Sequence, residues 1–179
     1  EKEIKDRSAL GFHAPGMFDK VIDIDNCYLQ KEPSNSIRLS VKQFADKNKL
    51  SYFDIKNQNG LLRNLIIRTS STNDLMVLVQ FFVDDKEKIT LLMEHIKNSF
   101  SEITSLLYII NNKANNTIYD QDIVCYNGKD YITEEMDGLK FRINAKSFFQ
   151  TNSEQAKVLY RKTKELAQIK NTDTVYDLY

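Results

Sequence analysis

Two turn-forming pairs, Asn127-Gly128 and Asp137-Gly138, sit among strand-like residues, and from about residue 145 the apolar spacing becomes helical. Asn-Gly and Asp-Gly steps favour the positive backbone angles of tight hairpin turns, so they predict a meander over residues 123–143. Beyond it, Thr151 or Asn152 is placed to cap a helix, with Glu154 positioned to reciprocate. Ala156, Leu159, Tyr160, Thr163 and Leu166 share one face of that helix, while Lys157, Arg161, Lys162 and Lys164 occupy the rest. A final apolar run over residues 174–178 reads as a strand. The chain therefore divides into a strand-rich unit over residues 1–150 and a new helix and strand over residues 151–179.

Upstream, short apolar runs at residues 8–13 and 18–24 flank Ala14-Pro15-Gly16 and read as a hairpin. Ile37, Val41, Phe44 and Ala45 recur at helical spacing, predicting a helix over residues 36–48 capped by Asn35 or Ser36. Residues 57–60 form a turn, and residues 61–68 and 75–83 read as strands. Ile89, Leu92, Met93, Ile96 and Phe100 make the cleanest helical stripe of the chain, with Asp84 or Asp85 as its cap. Residues 106–110 read as another strand and residues 111–117 as a polar loop. The expected class is α+β: an antiparallel sheet with two packed helices, followed by the start of a second unit.

Lys and Arg total 25 and are matched by 25 Asp and Glu, so no global field draws the chain toward a polyanion. Any RNA contact is expected to rely on local patches or on parts of the protein outside these residues. The longest apolar run, residues 75–83, is interrupted by Gln80 and falls far short of the roughly 20 residues that span a bilayer, so no membrane segment is expected. Two distant cysteines and a charged N-terminal stretch make the cytoplasm the expected compartment.

The order strand, Ser147-Phe148-Phe149-Gln150-x-Asn152, amphipathic helix, Val175-x-Asp177-Leu178-Tyr179 resembles the RNA (uracil-5-)-methyltransferase family. Leu10-Gly11-Phe12-His13 with residues 19–27, and Gly60-Leu61-Leu62-Arg63-Asn64 with Ile67-Arg68, extend the likeness over nearly the whole chain. It is nearest to the bacterial 23S ribosomal RNA branch. The resemblance implies a central domain that positions RNA, then the first helix and strand of a Rossmann-like domain that binds S-adenosylmethionine. Its glycine-bearing cofactor loop and its cysteine nucleophile fall outside these residues, so the isolated chain is expected to be a catalytically inactive fragment. The dangling helix and unpaired strand are expected to promote self-association.

The family's motif glutamine lies in the cofactor pocket, so the resemblance assigns S-adenosylmethionine binding to Gln150, and to Tyr179 as the aromatic residue before the cofactor loop. Cys27 matches the position of a ligand to a 4Fe-4S cluster whose other ligands would precede Glu1. Two cysteines alone, Cys27 and Cys125, cannot hold a four-iron cluster, and Cys125 has no motif support. Lys20, Arg63, Arg68 and Arg142 lie on expected strands, where cations reach phosphates while aromatics stack on unpaired bases. Phe148 and Phe149 read as core residues, and His13 and His95 as structural. A non-catalytic RNA-binding or protein-interaction domain is the competing reading.

Overall fold

The structure, a computed structural model, describes residues 8–176 and residue 178. β1 (Gly11–Ala14) and β2 (Met17–Asp23) form the expected antiparallel hairpin. α1 (Ser34–Lys47) buries Ile37, Val41 and Ala45, as its spacing requires. Its cap departs from expectation: Pro33 occupies the cap position without a side-chain bond, and the Glu32 carboxylate instead accepts from the Ser36 amide at 3.1 Å. Asn35 is drawn inward, where its amide closes a pair of bonds with the Cys27 backbone.

β3 (Leu62–Thr69), β4 (Leu75–Phe81), α2 (Lys86–Ser99) and β5 (Ser105–Ile110) follow. Asp85 caps α2 by accepting from the Lys88 amide at 3.1 Å, as its position predicts. β3 pairs antiparallel with β4, but β4 and β5 run parallel, from Met76 opposite Ser105 to Phe81 opposite Ile110. The expected α+β class is borne out, while the sheet, expected antiparallel, is mixed through this one parallel pair. A helix between consecutive strands carries the chain back to the starting end of the sheet, which yields a parallel neighbour.

β6 (Ile123–Gly128) pairs antiparallel with β5 and completes the four-stranded order β3-β4-β5-β6. β7 (Tyr131–Met136) and β8 (Leu139–Asn144) form a separate two-stranded sheet. The expected meander is therefore broken between β6 and β7. Asp137 and Gly138 adopt φ of 48° and 81° and make the expected hairpin turn. Gly128, at φ 80°, instead ends a strand paired with Ser105.

Every residue of β4 is buried, because both faces of the sheet are covered. Leu75, Val77, Val79 and Phe81 join Ile89, Leu92, Met93 and Ile96 of α2 and the α1 residues in one core. Met76 and Leu78 face the other way, onto Leu107, Ile109, Ile132 and Ile143. Two helices, a mixed sheet and the β7–β8 hairpin thus stack as three layers. α3 (Ser153–Ala167) leaves from the hairpin side, with Asn152 accepting from the Gln155 amide at 3.1 Å as its cap. Glu154 does not reciprocate; it pairs with Lys157. Of the expected apolar face only Ala156 is buried, and Leu159, Tyr160 and Leu166 remain exposed. Residues 174–176 and 178 form no strand, since no strand among the described residues runs beside them; Asp177 and Tyr179 lie outside the described residues.

Candidate functional site

The segment after β8 is held from its own backbone upward. Ser147 Oγ accepts from the Asn144 amide at 3.2 Å, the Ser147 amide donates to the Asn144 carbonyl at 3.1 Å, and Asn144 Oδ1 accepts from the Lys146 amide at 2.9 Å. Arg68, reaching from β3, donates to the Ser147 carbonyl at 2.8 Å. Phe149 packs into the second core and tilts against Phe141, with 5.9 Å between ring centroids. Phe148 turns outward and is 82% exposed, which corrects its reading as core. Gln150 follows, exposed. Arg68 holds the Ser147 carbonyl and Phe149 packs inward, while Phe148 and Gln150, on either side of Phe149, are exposed. Tyr179, the other cofactor candidate, lies outside the described residues.

The remaining basic candidates do not converge. Arg63 is a structural clamp: its guanidinium lies 4.5 Å over the Phe53 ring and donates to the carbonyls of Asn111, Lys113 and Asn115 and to Asn116 Oδ1. Those bonds order the 111–117 loop and occupy donors that a phosphate would need. Arg142 is exposed on the outer face of β8 with its guanidinium 4.8 Å over Tyr131, whose other neighbour is Lys129 at 5.7 Å. Lys20 is exposed on β2, close in sequence to the exposed Phe18 and Ile22.

Cys27 is half-buried and Cys125 exposed, both as free thiols. No cluster of three or more His, Cys, Asp or Glu side chains suited to a metal exists among the described residues. Cys27 alone does not fit the needs of a 4Fe-4S cluster, and no step is assigned to one. For S-adenosylmethionine the described residues offer the exposed Gln150 amide and no glycine-rich cradle around it. One shallow cleft, lined by Asp84, Lys86, Thr90, Tyr108 and Tyr126, opens on the helix side of the sheet, opposite the face that holds Phe149. There Tyr126 donates to Glu94 at 2.6 Å, and burial together with that carboxylate pushes the phenol up to about 12.

Two residues escape a reading by sequence pattern. Arg38, only 7% exposed, donates to the carbonyls of Leu10, Ile24 and Asp25 and ties the β1–β2 hairpin to α1. Glu134, 2% exposed, accepts from Ser71, Glu135 and Ser153. Burial opposes its charge, yet these donors outweigh burial and hold its carboxyl below the usual range. The available signal was position: Arg38 follows Ile37 on the buried side of α1, and Glu134 falls on the inward phase of β7 between Ile132 and Met136.

No family model matches the chain. An RNA methyltransferase of Porphyromonas gingivalis, itself uncharacterized, is 51% identical over 175 residues, covering 97% of this chain and 38% of that protein. A counterpart from Bacteroides thetaiotaomicron is 50% identical over 175 residues, covering 96% of this chain and 38% of that protein. Among solved structures, the Pyrococcus abyssi tRNA (uracil-54, C5)-methyltransferase in complex with S-adenosyl-L-homocysteine superposes with a TM-score of 0.67 at 31% identity. That match covers 83% of this chain and 36% of the archaeal one. The chain belongs to the RNA methyltransferase family. It spans a little over a third of the length of the relatives it matches.

Proposed function

We propose that this chain is the central, RNA-positioning part of an S-adenosylmethionine-dependent RNA (uracil-5-)-methyltransferase, joined through α3 to its methyl-transfer domain. The observation that carries the reading is the superposition on a uracil-C5 methyltransferase across 83% of the chain, in a fold where Arg68 holds the Ser147 carbonyl three residues before Gln150. Residues 1–150 form the RNA-positioning unit and residues 151–179 open the cofactor domain. Gln150 supplies an amide to the cofactor pocket, which Tyr179 helps to close, and Lys20 and Arg142 supply phosphate contacts. The substrate is 23S ribosomal RNA, the product 5-methyluridine, and the compartment the cytoplasm. No helix among the described residues is long and apolar enough to cross a membrane.

Carbon 5 of uracil is a weak nucleophile. In this reaction a cysteine thiolate would add to carbon 6, the resulting enolate would take the methyl group of S-adenosylmethionine at carbon 5 with S-adenosylhomocysteine as the leaving group, and a general base would remove the carbon 5 proton as the thiolate leaves. The base must leave its stack to be reached. That cysteine is assigned to a segment beyond these residues, because neither Cys27 nor Cys125 lies in a matching motif. The isolated chain is accordingly inactive, and its exposed α3 face favours self-association. The test is methyl transfer by the full-length protein from labelled S-adenosylmethionine to unmodified ribosomal RNA, with the product base mapped. Label in 5-methyluridine that falls at least tenfold with Gln150→Ala supports the reading; a folded protein that transfers nothing to any RNA leaves a binding module in its place.

A further inference from the structure

α3 is held to the body by very little apolar contact. Ala156 is its one buried residue, while Val158, Leu159, Tyr160 and Leu166 are each at least half exposed. What reaches it from the body is polar. Glu134 projects from the inner face of β7, where it alternates with the buried Ile132 and Met136. Its Oε1 accepts from the Ser71 amide at 3.1 Å, the Ser71 hydroxyl and the Glu135 amide, and its Oε2 accepts from the hydroxyl of Ser153, the first residue of α3, at 3.0 Å. The β3–β4 turn that carries Ser71 is itself stitched to β7: Thr72 donates to the Thr133 carbonyl at 2.6 Å, and Asp74 accepts from the Thr133 amide at 2.8 Å. One carboxylate therefore joins the turn of the main sheet, the hairpin and the start of α3. The second tie, Arg161 to Asp137 at 2.5 Å, lies in solvent, where ion pairs hold geometry weakly.

We propose that Glu134 is a positioning residue that seats α3 on the central unit, and that it thereby sets how the RNA-binding part faces the methyl-transfer part, the second step resting on the function proposed above. A buried carboxylate with several donors keeps a fixed direction, because losing any donor leaves a lone pair without a partner in a low dielectric. The hydroxyl of Ser153 is the only one of these donors that belongs to α3.

Hydrogen exchange by mass spectrometry on this chain tests the seating directly. Ser153→Ala is expected to speed exchange across residues 153–167 about tenfold while β4 and β5 keep their protection, and Ser153→Thr, which retains the hydroxyl, is expected to restore it. Glu134→Gln is a second variant: its oxygen can serve Ser71 and Glu135 while its amide donates to the Ser153 hydroxyl, so α3 is expected to stay protected. Unprotected α3 amides in the unaltered chain, or no change with Ser153→Ala, overturn the seating role. In the full-length enzyme, Ser153→Ala is expected to raise KM for RNA about fivefold with cofactor affinity within twofold of the parent, and an unchanged KM overturns the consequence for RNA. If the unaltered full-length protein transfers no methyl group, the proposed function fails while the exchange result still judges the seating.

Discussion

The His95 imidazole lies flat on the Phe44 ring, with 4.0 Å between centroids and 15° between planes, and so joins α2 to α1 face to face. Its Nε2 is 2.9 Å from Ser40 Oγ, which satisfies the ring on the α1 side. The ring packs as a neutral aromatic, and burial holds its pKa below the ordinary histidine value of 6.5.

A pH dependence follows from that contact. Because the folded pKa is depressed, the unfolded chain binds the proton more readily. The stabilising contribution is present above about pH 6.5, the unfolded value, and is lost as pH falls through the lower folded value. Urea midpoints between pH 7.5 and 5.5 should fall for the parent chain and fall less for His95→Phe, which keeps the stack. Parallel slopes in the two proteins would remove His95 as the cause.

Arg63 organises the 111–117 loop through three backbone carbonyls and its seat on Phe53. Arg63→Ala is expected to lower stability by about 2 kcal/mol, the range for hydrogen bonds made by a charged group. Arg63→Lys should recover less than half of this, because an ammonium lacks the planar fork that reaches several carbonyls at once. Chemical denaturation checks both, and full recovery by lysine would argue against the clamp.

Gly128 and Gly138 share a left-handed backbone but not a surrounding. A Cβ at Gly128 would lie 2.2 Å from the Thr104 carbonyl oxygen, whereas one at Gly138 meets nothing within 4 Å. Gly138→Ala should cost about 1 kcal/mol for the backbone alone, and Gly128→Ala about 3 kcal/mol because the strand end must also move. Thermal unfolding of the pair reads the difference, and equal costs would contradict the close approach.

Arg38 anchors the first hairpin through the carbonyls of Leu10, Ile24 and Asp25. Arg38→Met fills similar space without those donors, so limited proteolysis should cut residues 10–25 at least fivefold faster while the β4 and β5 core stays resistant. Unchanged cleavage would mean that the hairpin is held by other contacts.

Much of the architecture was legible because periodicity and turn chemistry are local. The α2 stripe from Ile89 to Phe100, the Asp85 cap and the Asp137-Gly138 turn depend on residues within a few positions of one another, and each stands where the pattern put it. The Ser147-Phe148-Phe149-Gln150 motif likewise carried the family likeness through residue identity and order. Spacing could not choose the partner of β5, because strand, helix, strand is compatible with different sheet orders until one is packed. Nor could it tell that Gly128 closes against Thr104 rather than turning into β7, or that Phe148 and Phe149 point to solvent and core respectively. The use of Arg63, Arg68 and Glu134 lay furthest from the sequence. Basic and acidic residues on strands read as solvated or ligand-facing until the fold supplies specific partners, and theirs, from Asn111 to Ser147 and Ser153, stand 19 to 79 positions away. Sequence alone thus determined the family and the elements from β1 to α3, though not the strand expected at residues 174–178, since both rest on local order. Tertiary structure decided which polar groups build the protein and which remain free to meet a substrate, since a buried donor or acceptor takes whichever partner the packed chain brings within reach.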